Sequence, residues 1–306
     1  MTEPSASQWV DRPWLLGTQY KTDGNLAARQ SIYAYQRPRH DIARLVIDLA
    51  ALSGREAVAD VGCGNGAYLA ELTRRGHAGP VLGVDLSPGM LHAARDRIAQ
   101  ATSTPAQATG STDSPAASAP AAHSPATAAP GSLPVPAVPG LAVADATALP
   151  LPAGATDLTM APHMLYHVPD PAAAVRELRR VTRPGGQVLV VLNGAHHLRE
   201  LREQVAAALR DTVTRGRERI TLDTGAELLA RCFDSVVRHG FTAELVVPGP
   251  EPVAAYLLSS RAAQHEPDTQ HAPDAQRLVA EVLGGLPTDQ AGNFRIRTHS
   301  GCLVCR

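Results

Sequence analysis

The segment Val58-Ala-Asp-Val-Gly-Cys-Gly-Asn-Gly66 constrains this chain more than any other. An apolar run from Ala57 to Val61 reads as a buried strand, and Ala67 to Arg75 reads as an amphipathic helix that stops at Gly76. Between them, Gly62, Gly64 and Gly66 let the backbone turn sharply and approach a ligand closely, and the helix start offers free N–H groups and a positive dipole end. A nucleoside-type ligand belongs at such a turn. The spacing is G-x-G-x-G, which differs from the G-x-G-x-x-G fingerprint of dinucleotide sites. Nineteen residues beyond Gly66, the next apolar run, Val81 to Val84, ends at Asp85. That position lets one carboxylate accept from two ribose hydroxyls; its alternative role is to cap the following helix.

The same alternation continues along the chain. Leu141 to Ala144, Ala155 to Met160 and Gln187 to Leu192 are further buried-strand candidates. Pro88 to Gln100, opened by Ser87, and Pro171 to Val181, opened by Asp170, have capped helix starts with proline in the first turn. Strands alternating with helices predict an α/β fold with a parallel sheet and right-handed crossovers. Helical stretches at Arg199 to Val213 and Thr224 to His239 precede two late strands, Thr242 to Val247 and Phe294 to His299, expected as an antiparallel hairpin on the sheet edge.

Composition bears on the remainder. Residues 101 to 140 hold 12 Ala, 8 Pro, 6 Ser and 5 Thr, with Asp113 as the one acidic residue and no Lys or Arg. Such a segment buries too little apolar surface to offset its ordering entropy, so it is expected as a disordered insertion within one domain. Ala262 to Ala275 is expected as a mobile loop. With 28 basic and 29 acidic residues there is no electrostatic case for a nucleic-acid or anionic-membrane partner. No apolar run reaches membrane-span length and no signal peptide is evident, so a cytoplasmic protein is expected. Four cysteines in 306 residues make no disulfide framework, and the lone Cys302-x-x-Cys305 lacks the second pair that a zinc site needs.

Taken together, Asp60-Val-Gly-Cys-Gly-Asn-Gly66, Gly83-Val-Asp85-Leu-Ser-Pro-Gly-Met90, Ala144-Asp-Ala146, Met160-Ala-Pro-His-Met-Leu-Tyr-His-Val-Pro-Asp170 and Arg183-Pro-Gly-Gly-Gln187 resemble the class I S-adenosylmethionine-dependent methyltransferases. The likeness is to the branch with the ubiquinone/menaquinone and many small-molecule enzymes, and it covers Arg55 to Gly194. It implies a Rossmann-like, doubly wound, seven-stranded sheet in the order 3-2-1-4-5-7-6 with the last strand antiparallel. Around that domain, 51–306, we expect an N-terminal helical lid over 1–50 and a helical cap over 199–239.

The resemblance also implies residue roles, with S-adenosyl-L-methionine as cofactor. Gly62, Cys63, Gly64 and Gly66 would surround its methionine part, and Asp60 would support the amino group. Asp85 would take the ribose hydroxyls, Leu86 and Met90 the adenine faces, and Asp145 and Ala146 the adenine edge. Ala161 to His163 would sit beside the sulfonium. Tyr20 and Arg29, in a stretch similar to lid segments of these enzymes, would reach the cofactor carboxylate. The family's nucleic-acid amino-methylating members carry Asn/Asp-Pro-Pro-aromatic where this chain has Ala161-Pro-His-Met164, which disfavours nucleic acid and leaves a small-molecule or peptide acceptor.

Methyl transfer asks the protein for positioning, water exclusion and, where the acceptor loses a proton, a base. His163 and His167 after the fourth expected strand, Tyr166 between them, and His196-His197 after the fifth are the candidates. An ordinary imidazole titrates near neutrality, which suits the task; each histidine could equally be a pocket wall or a cap. Two other classes stay open here: a catalytically silent cofactor-binding protein and a dinucleotide-dependent oxidoreductase.

Overall fold

A computed structural model describes residues 10–103, 138–209, 220–260 and 275–306. The insertion expected at 101–140 and the loop expected at 262–275 fall, apart from their ends, outside those residues, as does the end of the helix expected to reach Val213.

Among the described residues, eight strands form one sheet. They are β1 (Gln36–Arg37), β2 (Val58–Val61), β3 (Val81–Asp85), β4 (Gly140–Val143), β5 (Thr156–Pro162), β6 (Thr182–Asn193), β7 (Val236–Val247) and β8 (Phe294–Cys305). Their spatial order is β1-β7-β8-β6-β5-β2-β3-β4. The strands β2 to β6 pair in parallel, and β8 runs antiparallel between β6 and β7. The expected order is therefore present, with β1 added as an eighth strand antiparallel to β7.

Helices cover both faces. On one face α3 (Ile42–Ala50), α4 (Ala67–Arg74) and α5 (Pro88–Ser103) bury Val46, Ile47, Leu69, Leu72, Leu91 and Ile98 against β2, β3 and β5. On the other, α6 (Pro171–Val181) and α8 (Leu222–Leu229) bury Ala174, Val175, Leu178, Leu222 and Leu229. Removing such side chains from water contributes about 1.5–3 kcal/mol each. The starts follow the chemistry expected of them: Asp170 accepts from the Ala173 amide at 2.9 Å with Pro171 in the first turn, and the Ser87 hydroxyl accepts from the Met90 amide at 3.2 Å. Each such cap stabilises its helix by about 1 kcal/mol.

A third apolar cluster joins α7 (Arg199–Ala208), α9 (Pro250–Leu258) and α10 (Ala275–Gly285) to the upper ends of β7 and β8 through Leu201, Leu245, Val253, Leu278, Val282 and Ile296.

Three boundaries differ from expectation. The stretch Thr224 to His239 is not one helix: α8 ends at Leu229, and Val236 opens a strand that pairs with β8 without a break from Val236↔Cys305 to Val247↔Phe294. Twelve cross-strand pairs outweigh the local helical period there. A cap over 199–239 is also corrected, because α8 lies in a sheet layer and the partners of α7 are α9 and α10. Residues 1–50 are not all lid either. β1 extends the sheet, and α3 buries Val46, Ile47 and Ala50 in the core, which leaves the described stretch before Gln36, with α1 (Arg12–Trp14) and α2 (Gly24–Ser31), to cover the strand ends.

Candidate active site

In the spatial order, β2 is followed by β3 and β4 on one side, and the chain then crosses to β5 on the other. Open α/β sheets bind ligands outside the carboxyl ends of the strands at such a switch point. A cavity of about 260 Å³ opens here, lined by the loop after β2, the ends of β3 and β4, the turn after β5, and the N-terminal segment.

The loop 62–66 is shaped by local backbone bonds. The Gly62 and Cys63 amides donate to the Val84 carbonyl at 2.7 and 3.0 Å, tying the loop to β3. Gly64 adopts φ 53° and Gly66 φ 73°, the left-handed region that favours glycine. At Gly66 a Cβ would also stand 2.9 Å from Cα of Ala94, so the missing side chain lets the loop rest on α5.

Asp85, at the end of β3, accepts from the Gly64 amide at 2.9 Å and the Ser87 amide at 2.8 Å. Burial raises its carboxyl above the usual range, against the pull of these donors and of the Leu86 amide. Asp60 lies two residues before Gly62 on β2, fully buried, and neither carboxylate oxygen has a hydrogen-bond partner among the described residues. Burial, and then the nearby Asp85, push its pKa up to about 8. A buried carboxylate without a donor calls for a cation or donor from elsewhere. Asp145, after β4, accepts from the amide and hydroxyl of Thr147, both at 2.8 Å, and pairs with Arg12 of α1.

After β5 the backbone at His163 takes φ 54°, unusual for a residue with a side chain. Its imidazole lines the cavity, and burial pushes its pKa down to about 4. His167, also on the wall, has Nε2 2.9 Å from the Tyr20 hydroxyl, with the Tyr166 ring edge-on at 4.6 Å. Burial raises the Tyr20 phenol pKa, opposed by Arg29, whose guanidinium lies over the Tyr20 ring and donates to the Ser259 carbonyl at 2.9 Å.

Of the residues singled out in the sequence, Tyr20, Arg29, Gly62, Cys63, Gly64, Asp85, Leu86, Met90, Asp145, Ala146, His163 and His167 all line the cavity. Asp60, Gly66 and Ala161 support it from the loop and strands without lining it. His197 is a correction. The turn after β6 carries it into the interior, where Nδ1 accepts from the His299 amide at 3.1 Å and Nε2 meets the Tyr33 hydroxyl at 2.9 Å. Burial pushes its pKa down to about 3, so it serves packing and not the cavity. The wall also includes Arg12, Leu16, Leu26, Gln30 and Tyr68, which the sequence reading missed. The first four belong to a segment with no glycine or acid pattern, and Tyr68 reads as one more apolar position on α4.

Residues 59–190 match the family model described as a methyltransferase domain. Over 145 residues the chain is 31% identical to an uncharacterized 37.1 kDa protein in transposon Tn4556 of Streptomyces fradiae, covering 46% of this chain and 32% of that protein. Over 138 residues it is 30% identical to the ubiquinone biosynthesis O-methyltransferase of Methylococcus capsulatus, covering 45% and 43%. The chain thus spans about a third to under half of the length of these curated relatives. In fold it is similar to phosphoethanolamine N-methyltransferase 2 of Haemonchus contortus, solved with phosphomonomethylethanolamine and S-adenosylhomocysteine, at 18% identity and a TM-score of 0.53 over 99% of this chain and 60% of that one. Residues 59–190 thus match a methyltransferase domain, and the sheet around them has the strand order expected from the resemblance to the class I S-adenosylmethionine-dependent methyltransferases.

Proposed function

We propose that the chain transfers a methyl group from S-adenosylmethionine to a small-molecule or peptide acceptor. One observation carries the reading: Asp60, a buried carboxylate without a hydrogen-bond partner among the described residues, lies beneath a glycine loop at the sheet's switch point, beside a second acidic strand end at Asp85. Both groups suit the donor set of this cofactor, whose amino group is a cation and whose ribose offers two hydroxyls. In this reading Asp60 balances the ammonium, Asp85 receives the ribose hydroxyls and Arg29 faces the carboxylate. Leu86 and Met90 hold the purine faces, and Asp145 with Ala146 its edge. The bound cofactor supplies a methyl carbon activated by a positively charged sulfur.

The chain's own part is to position the acceptor, exclude water and take up a proton. The Tyr20–His167 pair stands on the wall that follows β5, where a reacting group belongs in such sheets. His163 has one ring-nitrogen lone pair available at neutral pH, because burial disfavours its charged form. The segment 10–35 is the lid in this reading, and α7, α9 and α10 form the cap.

Isothermal titration of the intact chain with S-adenosylhomocysteine, S-adenosylmethionine and NAD tests the proposal. Binding of the two sulfur nucleosides and not of NAD is expected. NAD binding alone would sink it in favour of an oxidoreductase.

A further inference from the structure

We propose that the acceptor presents an acidic hydroxyl, of a phenol or an enol, and that this chain methylates oxygen and not an amine. The inference rests on the methyl-transfer reading and adds the class of acceptor to it.

Charge is segregated within the cavity. Among the described lining residues the carboxylates are Asp85 and Asp145, both at the β3 and β4 side. Their oxygens are engaged, Asp85 by the Gly64 and Ser87 amides and Asp145 by Thr147 and Arg12. The wall after β5 carries His163, Met164, Tyr166 and His167, and Tyr20 faces it. This wall offers imidazoles, phenols and a thioether, and among the described residues it holds no anion. Burial keeps His163 neutral and the Tyr20 phenol protonated.

An alkylammonium acceptor would leave water for that wall without a counter-ion, and the bound cofactor would add a positive charge of its own. It would also lack a lone pair until its proton had gone. A hydroxyl enters uncharged and keeps a lone pair while protonated, so its proton can leave as the new bond forms. The acceptor oxygen bonds to the methyl carbon, and the carbon–sulfur bond breaks with its electron pair passing to sulfur. The hydroxyl proton passes to the Tyr20 oxygen as the Tyr20 proton moves to Nε2 of His167, across the 2.9 Å contact. The products are a methyl ether, S-adenosylhomocysteine and an imidazolium that returns its proton to solvent.

The intact chain saturated with S-adenosylhomocysteine is titrated near neutral pH with catechol and with benzylamine, two ligands of similar size. Catechol should bind at least about tenfold more tightly. With S-adenosylmethionine in place of the product, catechol should give a methyl ether, located by fragmentation mass spectrometry. A Tyr166→Glu variant, which sets a carboxylate on the wall, should raise benzylamine affinity about tenfold. Equal or tighter binding of benzylamine by the wild type, absence of catechol binding, methyl on nitrogen or carbon, or an unchanged benzylamine affinity in the variant would each overturn the assignment. Failure to bind S-adenosylhomocysteine at all would sink the methyl-transfer reading beneath it, so the two failures are distinct.

Discussion

The Tyr20 hydroxyl lies 2.9 Å from Nε2 of His167, a hydrogen bond that joins the N-terminal segment to the turn after β5 across 147 positions of sequence. It closes one side of the cavity and joins the residue we propose as proton acceptor to the segment we propose as lid. A positioned base contributes a factor of about 10²–10⁴. His167→Ala should therefore lower turnover on a hydroxyl acceptor by about a hundredfold or more, with S-adenosylhomocysteine affinity little changed. Tyr20→Phe should lower turnover about tenfold or more, since the relay is broken while the ring remains. Steady-state rates at saturating acceptor, alongside calorimetric affinities, check both; wild-type rates in both variants would remove the pair from the chemistry.

In the proposed reading Asp60 should link cofactor binding to pH. With its pKa pushed up to about 8, the free protein holds this carboxyl protonated at neutral pH, and a bound ammonium favours the ionised form. Binding should then release close to one proton near pH 7, and affinity should rise with pH up to about 8. Calorimetry in buffers of different ionisation enthalpy measures the release, and Asp60→Asn should abolish it. The sign for stability is opposite. A raised carboxyl stabilises the free fold fully below the ordinary range, and that contribution is lost as pH rises toward about 8. The melting difference between Asp60→Asn and wild type should thus grow in the variant's favour over that window.

The oxygens of Asp85 hold the Gly64 and Ser87 amides, and in the proposed reading the same carboxylate also receives the ribose hydroxyls. Asp85→Ala should weaken S-adenosylhomocysteine binding at least about tenfold, and the two orphaned amides should cost roughly 1–3 kcal/mol of stability each where they stay dry. Asp85→Asn keeps an acceptor oxygen and should lose less stability than affinity. Titration and thermal denaturation of both variants separate the two roles.

Two of the three loop glycines, Gly66 and Gly64, should fail in different ways. Gly66→Ala drives a methyl to 2.9 Å from the Ala94 backbone at φ 73°, so α5 must shift. A loss of about 1–3 kcal/mol is expected, visible as a melting point several degrees lower. Gly64→Ala meets only Leu26, at 3.6 Å, and its cost of about 1–2 kcal/mol comes from φ 53° alone. Equal destabilisation would refute the packing argument at Gly66.

Arg12 holds the carboxylate that we assign to the adenine edge. The pair is partly exposed, so its removal should change stability by at most about 1 kcal/mol. Its effect should fall on exchange. In Arg12→Ala both association and dissociation of S-adenosylhomocysteine should quicken about fivefold, with a smaller change in equilibrium affinity. Stopped-flow fluorescence reads this, and unchanged rates would exclude Arg12 as a closure.

What the sequence determined alone was whatever is encoded by neighbours in the chain. Strand, glycine turn and helix at Val58 to Arg74, the caps at Ser87 and Asp170, and the acidic strand end at Asp85 follow from local backbone chemistry, and the structure carries each of them. Resemblance supplied the strand order, which periodicity does not contain, because an apolar pattern states that a residue is buried and not against what. Tertiary structure decided the rest. His197 was legible as a histidine after a strand, yet its burial depends on Tyr33, 164 positions away, and on the His299 amide. Arg12 meets Asp145 across 133 positions, and no spacing rule reaches that far. Likewise Val236 to His239 reads as the end of a helix until β8 pairs it as the first four residues of a twelve-pair ladder, and long-range pairing then overrides local preference.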